Sequence, residues 1–168
     1  MAQNLSIIRL STEFTRPANT TAYTANSAVS DGSTVALTCL NPDGTTAPAL
    51  KVGASYQIKT VGITMDSSGT TNASFDVYLY SSGVTAFADN ADFTLAYNLK
   101  HIRIGKTAVT LATGDTNSTC AEAVSTDVNQ VFKAQTSTLG FHLVASAGYT
   151  PISSGKIYIK VMLIEING

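Results

Sequence analysis

Two histidines, His101 and His142, are the side chains in this sequence best suited to acid–base catalysis near neutral pH. Catalysis would require one of them to lie beside a nucleophile or a carboxylate. Neither lies in a known catalytic motif, because the sequence contains no G-x-S-x-G and no H-E-x-x-H pattern. Both alternate with strongly apolar neighbours, which is typical of outward-facing positions on a strand. We therefore expect a protein that is not an enzyme.

A short acidic run, Asp89-Asn90-Ala91-Asp92, offers oxygen atoms of the kind that bind a hard cation. A calcium ion needs about six to eight oxygen ligands, and the run lacks the spacing and the glycine of a known calcium loop. Aspartate and asparagine side chains also close turns through their own backbone. Asp89 and Asp92 are therefore weak candidates for a metal site, and Asp115, Asn117 and Asp127 are weaker still. We expect neither a metal nor a cofactor.

The local basic cluster of the chain contains Lys100, His101, Arg103 and Lys106. Alternation along a strand would divide these charges between its two faces, as on a solvated strand rather than a track for phosphates. The whole chain has a formal charge of -1, so it has no general positive field to attract nucleic acid or anionic lipid. We expect no partner of either kind.

Seven tyrosines and no tryptophan bear on the choice between a sugar-binding surface and a protein interface. Aromatic rings stack on sugars, but tyrosine is also common at protein interfaces, where the ring is buried and the hydroxyl group stays solvated. The absence of tryptophan favours the protein interface. The tyrosines are Tyr23, Tyr56, Tyr78, Tyr80, Tyr97, Tyr149 and Tyr158.

The composition predicts one β-rich domain that spans residues 1–168. Hydrophobic residues make up 44% of the chain, and charged residues only 12%. Serine and threonine take the place of the missing charged residues, and threonine favours strands over helices. Cys39 and Cys120 lie far apart in sequence, so we expect two separate thiols rather than a disulfide framework. The first residues show no signal-peptide pattern and no apolar run reaches membrane-spanning length, so we expect synthesis in a cytoplasm without export.

Alternating apolar and polar residues predict about eight to ten short strands. The clearest hairpin covers residues 55–80, with a bulge expected at Gly62, where the apolar phase changes. Residues 93–97 and 99–104 are also expected to be strands, and residues 121–131 are the one segment that tolerates a helical turn. The last strand, residues 157–166, is apolar on both faces. Such a strand is covered by a second sheet and by something further, for which another copy of the chain is one option.

These patterns predict an all-β fold, an antiparallel β-sandwich of jelly-roll type. Residues 1–20 are expected to form an N-terminal arm or an edge strand, because Pro17 lacks a backbone donor and suits a turn or a sheet edge. Asn19 to Thr21 are expected to close local turns through their side chains, and Asp31-Gly32 to form a further turn.

Two stretches of the chain carry a resemblance to a known family. The first is Arg-Pro-x-x-Thr-Thr-Ala-Tyr at residues 16–23. The second is Tyr-Leu-Tyr at residues 78–80, followed by Ala-Asp-Asn-Ala-Asp-Phe at residues 88–93. Together they resemble a family of tailed-bacteriophage virion structural proteins that decorate the capsid or assist the head.

The resemblance implies a non-enzymatic capsid decoration protein, made in the host cytoplasm and carried on the virion surface. Its implied partners are the major capsid protein and further copies of itself. A homotrimer is expected, because capsid lattices present local threefold sites. The expected capsid or subunit contacts are Arg16, Pro17, Tyr23, Phe87, Asn90 and Phe93. Arg16 is expected to form an ion pair or clamp a carbonyl group, with Glu13 as the alternative partner within the chain.

Two other classes of function remain as alternatives. One is a carbohydrate-binding or host-adhesion module of a head or tail fibre. The other is a glycan hydrolase, which would need two carboxylates facing each other across a groove, and the sequence nominates no convincing pair.

Overall fold

The protein is described here from a computed structural model, for residues 7–41, 43–66, 72–113, 120–126 and 128–166. Within these ranges it contains eleven strands and one short 3-10 helix, Tyr97–His101. The weak metal candidates Asp115, Asn117 and Asp127 lie outside the described residues. The strands are β1 (Ile7–Thr15), β2 (Ala28–Val29), β3 (Ala36–Leu40), β4 (Ser55–Met65), β5 (Ser74–Tyr80), β6 (Arg103–Thr110), β7 (Ala112–Thr113), β8 (Ala121–Thr126), β9 (Val131–Lys133), β10 (Leu139–Ala145) and β11 (Lys156–Ile166).

The strands form an antiparallel, nearly closed sheet in the order β6-β5-β10-β3-β1-β11-β4-β8-β7. In addition, β2 pairs with β10 and β9 pairs with β4. Strand β3 connects two layers, because it pairs with β1 through residues 38–40 and with β10 through residues 36–37. The first sheet therefore contains β1, β11, β4, β8, β7 and β9, and the second contains β10, β5, β6 and β2. This arrangement confirms the predicted all-β antiparallel sandwich, which is jelly-roll-like.

The core lies between the two sheets and follows from the period of two in each strand. Phe75, Val77 and Leu79 of β5 are fully buried, as are Ile159 and Val161 of β11. Their polar neighbours point to the outer faces, because successive side chains of a strand point to opposite sides. Within the described residues, no helix is long and apolar enough to cross a membrane.

Residues 7–15 form β1, an interior strand between β3 and β11, where an arm or an edge strand was expected. The nine residues of β1 all pair with β11. Leu10 and Phe14 point into the core and are at most 4% exposed. Pro17 follows the end of the strand and so interrupts no ladder hydrogen bond, which agrees with the backbone restrictions of proline.

The bulge in β4 lies at Lys59 rather than at Gly62. The register with β11 passes from Thr60 opposite Met162 directly to Ile58 opposite Leu163, so Lys59 has no opposite residue. At this point β4 also changes its other neighbour, from β9 at residues 55–57 to β8 at residues 60–65. The extra residue therefore lies where β4 passes from one neighbouring strand to the other.

Three other local predictions need correction. Residues 93–96 lie in no strand, residues 97–101 form a 3-10 helix instead of strand, and residues 121–126 form β8 instead of a helical turn. Residues 121–126 pair with β4, so in this segment tertiary pairing overrides a weak local preference. Cys39 and Cys120 are not joined by a disulfide, and Cys39 is buried in the core, as expected for separate thiols.

Candidate functional site

The two stretches that carry the family resemblance meet in the folded protein. Asp89 accepts hydrogen bonds from Arg16 Nη2 (3.0 Å), from the Tyr23 hydroxyl group and from the Ser30 backbone N–H (3.2 Å). Arg16 Nε also donates to the Tyr23 hydroxyl, and its guanidinium carbon lies 4.7 Å from the centre of the Tyr23 ring. We call Arg16, Tyr23 and Asp89 the Arg16 cluster. It ties the end of β1 to the loop that follows β5.

The Arg16 cluster is buried and its charges are compensated. Arg16 is 3% exposed and Tyr23 is 2% exposed. Burial by itself would lower the pKa of Arg16, but its contacts with Tyr23 and Asp89 outweigh burial and raise the pKa. Burial, reinforced by the hydrogen bond to Asp89, also raises the pKa of Tyr23 above its usual range. Arg16 therefore stays charged and Tyr23 neutral at ordinary pH, which keeps this set of hydrogen bonds intact.

Neighbouring segments fix the position of the Arg16 cluster. Arg16 Nη1 donates to the Ile152 carbonyl oxygen at 3.1 Å, and the Arg16 backbone N–H donates to the Gly155 carbonyl. The Tyr23 ring stacks on Tyr149, with ring centres 4.9 Å apart and planes 14° from parallel. The cluster thus joins β1, the loop 81–93 and the segment that leads into β11.

Backbone hydrogen bonds extend this junction along the loop. The Asn90 N–H donates to the Ala28 carbonyl, the Ala28 N–H donates to the Ala91 carbonyl, and the Phe93 N–H donates to the Asn26 carbonyl. The Asn90 side chain donates to the Ala22 carbonyl oxygen at 3.2 Å. Asn90 has a φ of 60°, a left-handed conformation that asparagine tolerates better than most residues.

Under the same loop lies a group of rings that we call the aromatic cluster: Tyr78, Tyr80, Phe87, Phe93 and His142. Phe87 and Phe93 pack against His142 with ring centres 5.0 Å and 5.5 Å apart. Phe93 also packs on Tyr78 at 4.8 Å. His142 Nε2 lies 2.9 Å from the Thr85 carbonyl oxygen, and its Nδ1 lies 3.1 Å from the Tyr80 hydroxyl group.

His142 lies on the outer face of the second sheet, as the alternation predicts, but it is only 5% exposed because the loop 81–93 covers it. Since a carbonyl oxygen only accepts, Nε2 carries the proton and Nδ1 accepts from Tyr80. Burial lowers the pKa of His142, although the bond to Thr85 opposes this shift. Burial also raises the pKa of Tyr80 to about 12, with a smaller contribution from Tyr78. Both groups are thus neutral partners that hold the loop.

The predicted contact residues divide into two groups. Arg16 and Tyr23 are turned inward and hold the loop within the chain. Arg16 was expected to form its ion pair or carbonyl contact with the capsid or another subunit, and it forms both within the chain instead, with Asp89 and Ile152. The predicted alternative partner, Glu13, pairs instead with Lys156 at 3.3 Å. Pro17 is exposed, whereas Phe87, Asn90 and Phe93 are half-buried. Their contacts with a capsid or with another subunit remain predictions.

The other candidate sites do not assemble. The Asp89 carboxylate is turned inward while Asp92 is exposed, and no described group of three or more potential ligands is placed to hold a metal ion. Lys106 pairs with Asp76 at 2.8 Å, and Lys100 lies over the Tyr97 ring, so the basic cluster forms no track. All seven tyrosines are described, and Tyr97 is the exposed one, at 79%; Tyr23, Tyr56 and Tyr80 are almost fully buried.

The outer face of the first sheet, here called the front face, is a feature that the site predictions missed. An apolar row crosses it, because Ile7 lies opposite Ile164, Ile164 opposite Gln57, and Gln57 opposite Val131. Ile7 is 55% exposed and Val131 is 59% exposed. The one signal in the sequence was that β11 is apolar on both faces.

Comparisons with known proteins give remote similarities. No protein-family model matches the chain, and no curated protein matches it in sequence. Among solved structures, a lipoprotein from Bacteroides thetaiotaomicron has 14% identity and a TM-score of 0.38, over 99% of this chain and 91% of that one. The cyanophage Pam1 capsid asymmetric unit has 13% identity and a TM-score of 0.34, and the match covers 96% of this chain and 84% of that one. The vertex protein P5 of PRD1 has 14% identity and a TM-score of 0.34, and the match covers 95% of this chain and 97% of that one. Capsid and vertex proteins are thus among the similar structures, at a similarity that assigns no function.

Proposed function

We propose that this protein is a non-enzymatic structural protein of a tailed-phage virion, which decorates the exterior of the head as a homotrimer and stabilises the shell. The resemblance at residues 16–23 and 78–93 motivates the proposal. In the fold these two stretches form one unit, since Arg16 and Tyr23 from the first bind Asp89 from the second. A buried ion pair that rigidifies a loop suits a building block whose surface has to keep its shape in a lattice.

The observation that carries the proposal is the uncovered front face. Its apolar row contains Ile7, Ile164 and Val131, and Val124 on β8 adds a further side chain that is 46% exposed. The strands of this face, β1, β11, β4, β8 and β9, are nine, 11, 11, six and three residues long. At about 3.3 Å per residue and about 4.8 Å between strands they present roughly 600 Å² of mixed apolar and polar surface. That area is of the same order as the ~800 Å² that each partner buries in a standard protein interface. Exposed apolar side chains grouped on such a face are typical of a surface that binds other protein.

In this proposal the protein acts mechanically. Copies bind one another and the major capsid protein through repeated, individually modest contacts, whose avidity comes from multivalency. The front face supplies apolar area, and the loop 81–93 supplies a rigid polar edge near Pro17 and Asn90. No chemical step is required of the chain, and the best acid–base candidate, His142, has both ring nitrogens engaged within the protein.

The position and copy number of the protein in purified particles test this function. Quantitative mass spectrometry with electron cryomicroscopy should find hundreds of copies on the shell, arranged as trimers. A ring of six or twelve copies would instead assign the protein to a neck, tail or vertex. A monomer that ignores capsids and binds a defined sugar on a glycan array would favour the carbohydrate-binding alternative, and turnover of a polysaccharide would favour the hydrolase.

A further inference from the structure

A groove of about 430 Å³ crosses the front face, beside the apolar row. Its floor is made by outward-facing side chains of β1 and β11, with Ser11 opposite Lys160 and Arg9 opposite Met162. Leu40 at the end of β3 borders one side, and Val124 of β8 borders the other. The groove is therefore built on paired strands near the middle of the first sheet, which hold its lining residues in fixed positions.

Two cations face this groove without an acidic partner. Neither Arg9 nor Lys160 forms an ion pair with any carboxylate in the part of the chain that the structure describes. Glu13 is the one carboxylate of β1, and it is engaged by Lys156. The groove lining itself contains no acidic residue. Two positive charges on one face of the sheet, neither of them paired with a carboxylate, favour an anionic partner.

The position of Lys160 depends on Gly62, the residue opposite it on β4. A Cβ atom at Gly62 would lie 2.7 Å from Lys160 Cε and 3.0 Å from Lys160 Cγ. The aliphatic part of Lys160 therefore lies across the bare backbone of Gly62, and the side chain is half-buried. A lysine held flat against a sheet has lost part of its conformational freedom before it binds, which lowers the entropic cost of binding.

Both cations lie on the same face of the sheet. Arg9 and Lys160 occupy diagonal positions on neighbouring strands, and Lys160 Cε lies over Gly62 of β4, on the side of β11 away from β1. In an extended peptide, side chains at positions i and i+2 point to the same side, so two carboxylates at alternate positions can both face the groove. We propose that the groove binds an extended protein segment that carries two carboxylates at alternate positions, one on Arg9 and one on Lys160. The proposal rests on the proposed function for the origin of this segment, which would be the major capsid protein.

The lining favours a peptide over the other anionic polymers. Leu40, Met162 and Val124 give the groove aliphatic edges that suit apolar side chains next to the acidic ones. Tyr158 is its one aromatic residue, whereas sugars and single-stranded nucleic acids bind through several stacked rings. An acidic polysaccharide is therefore the competing class of ligand, and the experiment compares its binding with that of the peptide.

The experiment is a nuclear magnetic resonance titration of the full chain with defined peptides. The probe is acetyl-Leu-Ser-Glu-Ser-Glu-Ser-Leu-amide, and its control has the same composition with the two glutamates adjacent. We expect shifts in amides of β1, β4 and β11, weaker binding of the control peptide, and weaker binding as salt shortens the Debye length to about 8 Å. The variant R9Q/K160Q should lose about tenfold or more in affinity.

Matched variants separate charge from folding. The variant R103Q/K133Q removes two exposed cations that lie outside the groove and should bind like the wild type. Gly62→Ala keeps both charges but displaces Lys160, so it should weaken binding while the urea midpoint of unfolding changes little. No binding of the probe to the wild type, equal binding by R9Q/K160Q, or a preference for polygalacturonate over the peptide would each overturn the proposal.

Binding to capsids distinguishes this proposal from the proposed function. If R9Q/K160Q binds capsids as tightly as the wild type, the groove assignment is wrong while the decoration function stands. If neither protein binds capsids although the peptide binds the groove, the decoration function is wrong while the groove assignment for an acidic segment stands.

Discussion

Arg16 Nη2 lies 3.0 Å from Asp89 Oδ2, and the two residues are 73 positions apart in the sequence. Their side chains are 2% and 7% exposed. A buried ion pair gains little over a well-packed apolar pair, but removal of one partner leaves an uncompensated charge. The pair therefore makes the attachment of the loop 81–93 to β1 strongly sensitive to single substitutions.

Arg16→Met should destabilise the protein by about 3–5 kcal/mol, because Asp89 would stay buried without its cation. The matched control is Glu13→Gln, which breaks an ion pair whose side chains are 54% and 57% exposed and should cost at most about 1 kcal/mol. Urea unfolding followed by circular dichroism measures both. Similar losses in the two variants would mean that the Arg16 cluster is not held by its charges.

A double-mutant cycle tests the coupling itself. Once Arg16 is Met, the added change Asp89→Asn should cost much less than Asp89→Asn alone, because the buried charge has already lost its partner. Free energies of unfolding for the four proteins give the coupling energy. Strictly additive losses would show that the two residues act independently.

Gly140→Ala should destabilise the protein because the loop 81–93 starts directly over this residue. A Cβ atom at Gly140 would lie 2.4 Å from the Ser82 carbonyl oxygen, which is backbone and cannot turn aside. We expect a loss of about 1–3 kcal/mol, typical of overpacking. Gly83→Ala is the control, since nothing lies within 4 Å of its Cβ position. Equal thermal midpoints for the two variants would contradict this packing.

His142 should make the protein less stable in mild acid. The pKa of a histidine in the unfolded chain is near 6.5, and burial lowers the pKa of His142 in the folded protein. Between these two values the unfolded chain binds more protons, so stability falls as the pH drops through 6.5 toward the folded pKa. His142→Gln can still donate to Thr85 and accept from Tyr80, and it should lose less stability between about pH 7 and pH 5.

The control for this titration is His101→Gln, which changes an exposed histidine in the 3-10 helix and should follow the wild type. The measurement is the urea midpoint as a function of pH. If His142→Gln loses as much stability as the wild type over this range, another group controls the pH dependence.

In the proposed homotrimer, the double change Ile7→Asp with Val131→Asp should separate the subunits. Both side chains are more than half exposed, so the charges should disturb an interface without disturbing the core. Sedimentation velocity measures the change. Tyr97→Asp is the control, because Tyr97 is 79% exposed on the 3-10 helix away from the front face. An unchanged trimer in the double variant would place the subunit contact elsewhere.

The sequence by itself determined the elements that depend on local pattern. Alternation located the inward-facing residues of β5 and β11, such as Val77 and Ile159, because a strand directs its side chains with a period of two. The sequence also determined several turns, because side chains within them bind the nearby backbone. Asp31 accepts hydrogen bonds from the backbone of Ser33 and Thr34, and Asn19 accepts one from Thr21, as their side-chain chemistry predicts.

Only the tertiary structure decided which distant residues meet. Arg16 pairs with Asp89 instead of the nearby Glu13, and β1 lies inside the sheet. His142 is covered by the loop 81–93, which follows β5 in the chain. The tertiary structure also placed Arg9 and Lys160 on the same face of two neighbouring strands that come from opposite ends of the chain. Strand pairing and burial depend on contacts between residues far apart in sequence, and a local pattern carries no information about which of those contacts form.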